Sequence, residues 1–562
     1  MVSSPRDQGC RRHGPLGDFP ASCTPYGLLS ARHLSADWKK WARRVAVQHP
    51  ESTEGIRTAP RVTVILAARR VDCPASRRLL NALVGDPRFV LQQVFTGPES
   101  ADLSGAPGWA LRLERRAVAV PDRAGPPEWK AGRPDPVPLP ADAAELAPCD
   151  VVLDLSGASP EGLADRATTG LWRLSVDDPA DGAASGAVLR GETLLPCALV
   201  RLPAAGAEPR LVARAAFQPK LLLGRSLDFA REKSMQMILR ELARLALTGA
   251  PADLGLAERP PRPPGGGSLP GYAARILGEA SGRAARKLRH RLGGAPRPFS
   301  LRLGPGQIED FDPARTVEAP NRNRHYRADP FLFEHDQALY CFFESYSYRD
   351  GLGHIAVGRI EDDGLTEIGP ALTRPYHLSF PFIFRHAGEI FMMPETHQAG
   401  RIEIWRCTDF PTGWTLHATT LDGVGAADPV LLQHGADWWL FANLCNDSIG
   451  DLSSELHLFR IDGPDLTWIE PHPLNPVVIG SEVARGGGRV VEIGGRLLRP
   501  SQDNSGRSYG RGLNLMEIVA LSPTSYEERR IRHLSADFLP GLIGCHHLDA
   551  AAGRVVIDVC RR

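Results

Sequence analysis

Three segments in the C-terminal half share a pattern that could do chemistry. Asp329 opens an apolar run that turns and returns to Glu344, Phe380 opens one that returns to Glu395, and Asp428 opens one that returns to Asn443. Each reads as a strand, a short turn and a second strand, so its first and last residues meet at one end of a hairpin. Fainter copies run from Gly487 to Gln502 and from Cys545 to Cys560. Carboxylates and amides gathered at one end suit a sugar: they bind hydroxyls bidentately, and two carboxylates can divide the acid, base or nucleophile roles of glycosidic chemistry. Arg485, Arg499, Asp503, His546 and His547 lie close in sequence to these ends; Arg485, Arg499, Gln502 and His546 could bind hydroxyls, a carboxylate or a phosphate, and Asp503 joins Glu344 and Asn443 as a candidate substrate-binding residue. The bland alternative for Asp329 and Asp428 is an Asp-Pro turn, and for Glu344 an exposed strand end. His335, His386 and His434 also recur, but at the opposite, turn end of each hairpin, too far apart to share an ion. No metal or cofactor is expected; Ca²⁺ in a central channel has no sequence signature here.

These residues need elements that hold them together. Successive copies start roughly 50 residues apart, the length of one four-stranded propeller blade, and five copies mean five blades. Only two strands fit after Cys545, so a strand from the start of the domain, Phe299 to Leu303, must close the ring and remove the open edges. The first strand of each blade lines the axis, which brings Asp329, Phe380, Asp428, Gly487 and Cys545 to one mouth with Glu344, Glu395, Asn443, Gln502 and Cys560. Upstream, Val62 to Ala67 reads as a buried strand, Pro74 to Leu83 as a helix, Phe89 to Phe95 and Val151 to Leu155 as strands, and Ser226 as the N-cap of a helix that ends before Gly249. The expected chain is therefore multidomain. Residues 1–58 form a disordered extension with a short helix near 36–47, 59–250 an α/β Rossmann-like domain, 251–297 a Pro/Gly-rich linker and basic helix, and 298–562 an all-β five-bladed propeller. The basic helix, 272–292, could touch an anionic membrane surface weakly, although a solvated face is the favoured reading.

Composition narrows the partners. The chain has 562 residues, with 66 Lys and Arg against 65 Asp and Glu, a formal charge of +1. No global field draws it to a polyanion, so nucleic acid is not an expected partner. Ten Cys are scattered without a C-x-x-C pair, which argues against a zinc ribbon or a disulfide framework and for a cytoplasmic home. No apolar stretch approaches the length of a membrane span, and Arg11, Arg12 and Pro15 stand where a signal peptide needs an apolar run.

Over about 299 to 562 the chain resembles the five-bladed propellers of glycoside hydrolase family 43. It resembles more closely the N-terminal domain of plant glucosamine inositolphosphorylceramide transferases. The closer resemblance rests on His325 to His335, Tyr376 to Phe384, Met393 to Thr396, Asn475 to Val478 and Arg499 to Asp503. The hydrolase resemblance implies Asp329 as general base and Asp428 as the residue that orients the acid. The acid of those enzymes opens blade four, where this chain has Arg485, Gly486, Gly487 and Gly488. Glu395 is then the expected acid, with Glu482 as the alternative. The closer relatives imply a glycan or glycolipid assembly role, as an enzyme or as a silent sugar-binding module, with the transferase chemistry of the plant proteins in a separate domain. Residues 61–200 are similar, more weakly, to the Rossmann-like domain of formyltransferases through Val62 to Leu66, Asp150 to Leu155 and Gly170 to Asp178. The Asn, His and Asp of that chemistry are not in place, so the resemblance implies a degenerate domain kept for binding or assembly. A G-x-G-x-x-G fingerprint is also missing after the first strand.

Overall fold

The computed structural model describes residues 61–561 except 69–70, 72, 97–104, 118–131, 157–161, 176–182, 204–206, 258–267, 292–298, 322–324, 362–363 and 507–508. The extension expected over 1–58 and the Pro/Gly run from Pro260 to Gly267 lie outside the described residues.

The first strand, β1 (Val62–Ala68), is apolar at consecutive positions because it is covered on both faces. Val64 and Leu66 enter one core, and Ile65 and Ala67 the other. It is central in a seven-stranded sheet with β2 (Phe89–Thr96), β3 (Val137–Pro138), β4 (Val151–Leu155), β5 (Leu171–Leu174), β6 (Leu195–Leu202) and β7 (Arg210–Phe217), ordered β3-β2-β1-β4-β5-β6-β7. The first five run parallel, and β6 and β7 are antiparallel additions. Helices α1 (Pro74–Gly85), α2 (Gly105–Ala117), α3 (Ala183–Arg190), α4 (Leu223–Thr248) and α5 (Leu269–Arg291) accompany it.

Two local expectations change. Helix α4 starts at Leu223, and Ser226 sits inside its first turn with its hydroxyl donating to the Leu222 carbonyl at 2.8 Å. The cap comes from another helix: the Glu114 carboxylate of α2 accepts from the Leu223 and Gly224 amides at 2.9 Å each. Residues 251–257, expected as linker, bond back to the sheet edge through Leu211 N to Gly255 O at 2.9 Å and Ala257 N to Pro209 O at 2.9 Å. Gly249 ends α4 in the left-handed region, φ 74°, as its C-terminal position requires.

Five further sheets form the propeller. Blade one spans 325–372, blade two 379–420, blade three 427–479 and blade four 491–535. Blade five is built from both ends of the domain: the last strand, Arg554–Arg561, pairs antiparallel with Phe299–Pro305, from Arg554↔Pro305 to Cys560↔Phe299. This is the closure the sequence calls for. His335, His386 and His434 mark the far rim, each meeting the next blade: His335 at Arg385 (3.1 Å), His386 on Trp438 (5.1 Å between centroids) and His434 at Glu492 (3.5 Å). One layer in from the mouth, Arg489 crosses the axis, gripping Asp549 at 2.6 and 2.9 Å and donating to the carbonyls of Leu332 and Ile383 at 2.8 and 3.3 Å.

Candidate functional site

The innermost strands of blades one, two and three each carry a non-glycine residue at positive φ, Asp329 (51°), Phe380 (47°) and Asp428 (47°). At each, the hairpin register skips, between Ala328 and Phe331, Ser379 and Phe382, and Ala427 and Val430. Proline follows in all three, which suits a skip because its nitrogen has no hydrogen to leave unpaired. Strain of this kind, of order 1–3 kcal/mol per residue, persists where the surroundings over-determine it. Here it aims Asp329 and Asp428 into one buried cluster.

Asp329 meets blade five. Its Oδ1 lies 3.2 Å from His546 Nε2, and His546 Nδ1 lies 2.9 Å from Asp558 Oδ2. Asp558 is fully buried and also accepts from the backbone amides of Asp329, His546 and His547 at 3.1, 3.0 and 2.9 Å. Burial alone would raise Asp329, but the hydrogen bond and charge of His546, helped by His547 and Arg485, hold it below the ordinary carboxylate range. His546 moves the other way: burial would lower it, and the two aspartates lift it well above the ordinary histidine value. Donor atoms of Asp329, His546 and Asp558 lie within 4.8 Å of one another, so among the described residues these three could hold a metal ion.

Glu344 stands beside Asp329 in the first hairpin, cross-strand from Ala328. Its Oε1 takes the Tyr326 hydroxyl at 3.2 Å and lies 3.4 Å from His377 Nε2. The Gly353 amide donates to His377 Nδ1 at 2.9 Å, which puts the proton of the neutral ring on Nε2, facing Glu344. Burial holds His377 neutral, with a pKa of about 4. Burial, and then the negative charge of Asp329, push Glu344 well above the ordinary carboxylate range.

On the other side Arg485 forks onto Asp428 through Nε at 2.5 Å and Nη2 at 3.2 Å, and Nη2 reaches Glu395 Oε2 at 3.4 Å. Glu395 Oε2 also accepts the Asp428 amide at 3.2 Å, and Gln502 Nε2 donates to Asp428 Oδ2 at 3.3 Å. Burial is the largest influence on Asp428 and raises it, with Glu395 and Asp329 adding and Arg485 opposing. The Tyr509 ring lies 5.9 Å from the Arg485 guanidinium and 5.1 Å from the His546 ring.

The structure thus brings together Asp329, Glu344, Glu395, Asp428, Arg485, Gln502 and His546. Asn443 is buried against them, but its amide group serves the backbone: Nδ2 donates to the carbonyls of Glu455 and Ala484 at 2.7 and 2.9 Å, and Oδ1 accepts from Gly486 N at 2.8 Å. Arg499 points along blade four to Glu528, at 2.8 and 2.7 Å. Asp503 alternates away from Gln502 and lies 3.8 Å from His533, in the company of Glu482. Cys545 and Cys560 do not face each other; Cys560 pairs with Gly544, and Asp558 does the work expected at the strand ends. Beyond Asp558, sequence reasoning missed Tyr326, His377 and Tyr509. Asp558 had a signal, a lone carboxylate inside the apolar run Val555 to Cys560.

Blade four has no room for a further carboxylate. A Cβ on Gly488, at φ 150°, would lie 2.0 Å from the Leu548 carbonyl, and one on Gly486 2.9 Å from Asp428 Cβ. The three glycines are there so that the strand can press against its neighbours.

Residues 314–538 match the family model described as glucosamine inositolphosphorylceramide transferase 1, N-terminal. The protein of that name from Oryza sativa subsp. japonica is 35% identical over 224 residues, 39% of this chain and 30% of the relative. Its namesake from Arabidopsis thaliana is 34% identical over 208 residues, 36% of this chain and 27% of the relative. The matched stretch therefore spans less than a third of these curated relatives. Among solved structures, the catalytic domain of a Coprinopsis cinerea GH62 alpha-L-arabinofuranosidase aligns with a TM-score of 0.33 at 12% identity, covering 47% of this chain and 98% of that one. A family 117 glycoside hydrolase of Zobellia galactanivorans aligns with a TM-score of 0.32 at 12% identity, covering 47% and 91%.

Proposed function

We propose that the propeller funnel takes a glycan or activated sugar and acts on it with Asp329 and Glu344 as the reactive pair, in polysaccharide or glycolipid assembly. The observation that carries this reading is the unlike setting of two neighbouring carboxyls: His546, 3.2 Å from Asp329, holds that one down, while burial and Asp329 itself push Glu344 up. A carboxylic acid that keeps its proton beside a carboxylate that has lost one is how an acid and a base are told apart in a single site. Glu344 thereby replaces Glu395 as the acid, because Glu395 Oε2 is engaged by Arg485 and the Asp428 amide. The relatives matched over the propeller, named as transferases of glucosamine inositolphosphorylceramide, support a glycolipid setting.

The test is sugar release or transfer across a panel of glycosides, oligosaccharides and activated sugars, with binding followed by calorimetry. Asp329→Asn and Glu344→Gln should each lower kcat by about 10²–10⁴ while glycan still binds. Turnover indifferent to both substitutions overturns the assignment. A second reading, a silent sugar-binding module, is favoured by the Arg485 fork on Asp428 and by the glycine run that excludes a blade-four acid. Its signature is glycan binding by the wild type without turnover of any member of the panel.

A further inference from the structure

Asp428 owes its place to two donors, and each of them is itself held from the α/β part. The first is Gln502, whose Nε2 meets Asp428 Oδ2 at 3.3 Å. An amide group accepts on one side and donates on the other, so something must fix which way round it stands. Asn504 does so. Its Oδ1 accepts the Gly510 amide at 2.7 Å, which leaves Nδ2 to donate to Gln502 Oε1 at 3.3 Å and turns Gln502 Nε2 toward Asp428. The backbone amide of Asn504 donates in turn to the Ser481 carbonyl at 3.0 Å. Ser481 bonds the end of β7: its amide donates to the Ala216 carbonyl at 2.9 Å, and its hydroxyl accepts from the Gln218 amide at 3.0 Å. The second donor is Arg485, whose Nη1 reaches the Leu452 carbonyl at 3.3 Å. The adjacent Asp451 takes Lys220 Nζ at 3.1 Å and the Ser454 hydroxyl at 2.6 Å, and the Ser454 and Ser481 hydroxyls share a hydrogen bond at 3.0 Å. The Gln502 amide donates to the Arg485 carbonyl at 2.9 Å, which joins the two paths. Asp329 and Glu344 are held differently, by Tyr326, His377, His546 and Asp558 of the propeller itself.

We propose that Ser481 and Asn504 are positioning residues for the Asp428 side of the funnel, and that through them the α/β part is a component of the sugar site. Coupling between two parts is carried by contiguous contacts, and most firmly where water cannot replace a lost one. Here each link is a hydrogen bond, and Ser454, Ser481, Gln502 and Asn504 are each at most 1% exposed. Asp428 gains from such a hold because it stands at φ 47°, a conformation kept only where the surroundings impose it. The effect is one-sided. This rests on the funnel reading, in which Asp329 and Glu344 react; the Asp428 side then grips the sugar, so loosening the network costs affinity and spares the reacting pair.

Three variants of the full chain carry the test. Asn504→Asp keeps the acceptor for Gly510 but withdraws the donor from Gln502, whose amide should then turn its oxygen to Asp428. Ser481→Ala removes the hydroxyl that meets Gln218 and Ser454, and Lys220→Met releases Asp451 from the α/β side. Each should raise KM, or the calorimetric Kd, across the glycan panel by about three- to thirtyfold. The kcat and its pH profile, which Asp329 and Glu344 set, should stay at the wild-type values. Amide hydrogen exchange read by mass spectrometry should quicken by about threefold or more in the peptides holding Asp428 and Gly510, and not in the one holding Asp329. A merely structural role would instead lower the thermal midpoint and quicken exchange in all blades alike, with KM unmoved. Exchange at Asp428 unchanged in all three variants, exchange quickened evenly around the ring, or local loosening that leaves glycan affinity intact would overturn the proposal. A wild type that neither binds nor turns over any glycan defeats the funnel reading by itself, and the exchange pattern then decides alone whether the α/β part holds Asp428.

Discussion

Arg485 decides what the far side of the funnel can be. It is 1% exposed and donates to both Asp428 and Glu395 from one guanidinium, so its removal leaves two buried acidic side chains without their donor. Arg485→Met is expected to cost about 3–5 kcal/mol in urea unfolding, the usual loss when one partner of a buried pair is deleted. Arg485→Lys should recover only part of it, because an ammonium cannot reproduce the two-pronged contact. Three histidines, His377 and His472 buried and His397 half-buried, bear on the acid side. Loss of water around the ring is the first cause that pulls His377, His397 and His472 each down to about 4. Their unfolded value is about 6.5, so between those values the unfolded chain binds more protons and stability rises with pH. Stability from these groups is complete above about pH 6.5 and is lost as pH falls through 4. His546, raised instead of lowered, has the opposite sign and loses its contribution on the alkaline side. Glu344 and Asp428, both raised by burial, act in the opposite sense over the same window, so the histidine share is read as a difference: His377→Asn should lose less of its thermal midpoint between pH 7 and 4 than the wild type does.

At the scale of elements, the hairpins were legible because two-residue alternation and a recurring Asp-Pro or Phe-Pro start are local properties, and the closing strand followed from counting edges. The register of blade five was not legible. Residues 545–547 bulge there and hand the carboxylate role to Asp558, a choice made by backbone amides that converge only in the folded ring. The cap of α4 was hidden for the same reason, since Glu114 is 109 residues from the Leu223 amide it serves. Side-chain protonation was least legible of all: the strand ends named both Asp329 and Glu344, but only the placement of His546 tells them apart. The glycine run at blade four yields a sharp prediction. Gly488→Ala puts a methyl into the Leu548 carbonyl on a backbone at φ 150°, whereas Gly495→Ala, at φ 77° in an open turn, meets no neighbouring atom within 4 Å. Both bear a positive-φ penalty of order 1–3 kcal/mol, and Gly488→Ala adds the clash, so thermal unfolding should place it well below Gly495→Ala.

For the whole molecule, the question is how firmly the α/β part grips the propeller, and the answer is a buried lysine. Lys233 of α4 reaches into blade three, with Nζ 2.7 Å from Asp447 and 2.8 Å from Glu455, all three within 1% of complete side-chain burial. Around it the Glu232 carboxylate takes the amide and hydroxyl of Ser448 at 2.7 Å each, Arg78 donates to the Asn446 carbonyl at 2.7 Å, and Ser481 N donates to Ala216 O at 2.9 Å. The same loop offers its Leu452 carbonyl to Arg485 at 3.3 Å, so the grip on blade three extends to the funnel. Burial would raise Glu455, but Lys233 brings it down to about 2. Its share of the stability is thus present above the unfolded value of about 4.3 and is lost as pH falls toward 2. Lys233→Met leaves both carboxylates without their cation. It should cost about 3–5 kcal/mol and split a single urea transition into two as the α/β part lets go first. Adding Glu455→Gln should return part of that loss, because one stranded charge is then removed. If Lys233→Met instead unfolds in one transition at the wild-type midpoint, the buried pair is not what joins the two parts, and the grip must lie in the apolar packing of Leu474 and Ile479 against the α/β core.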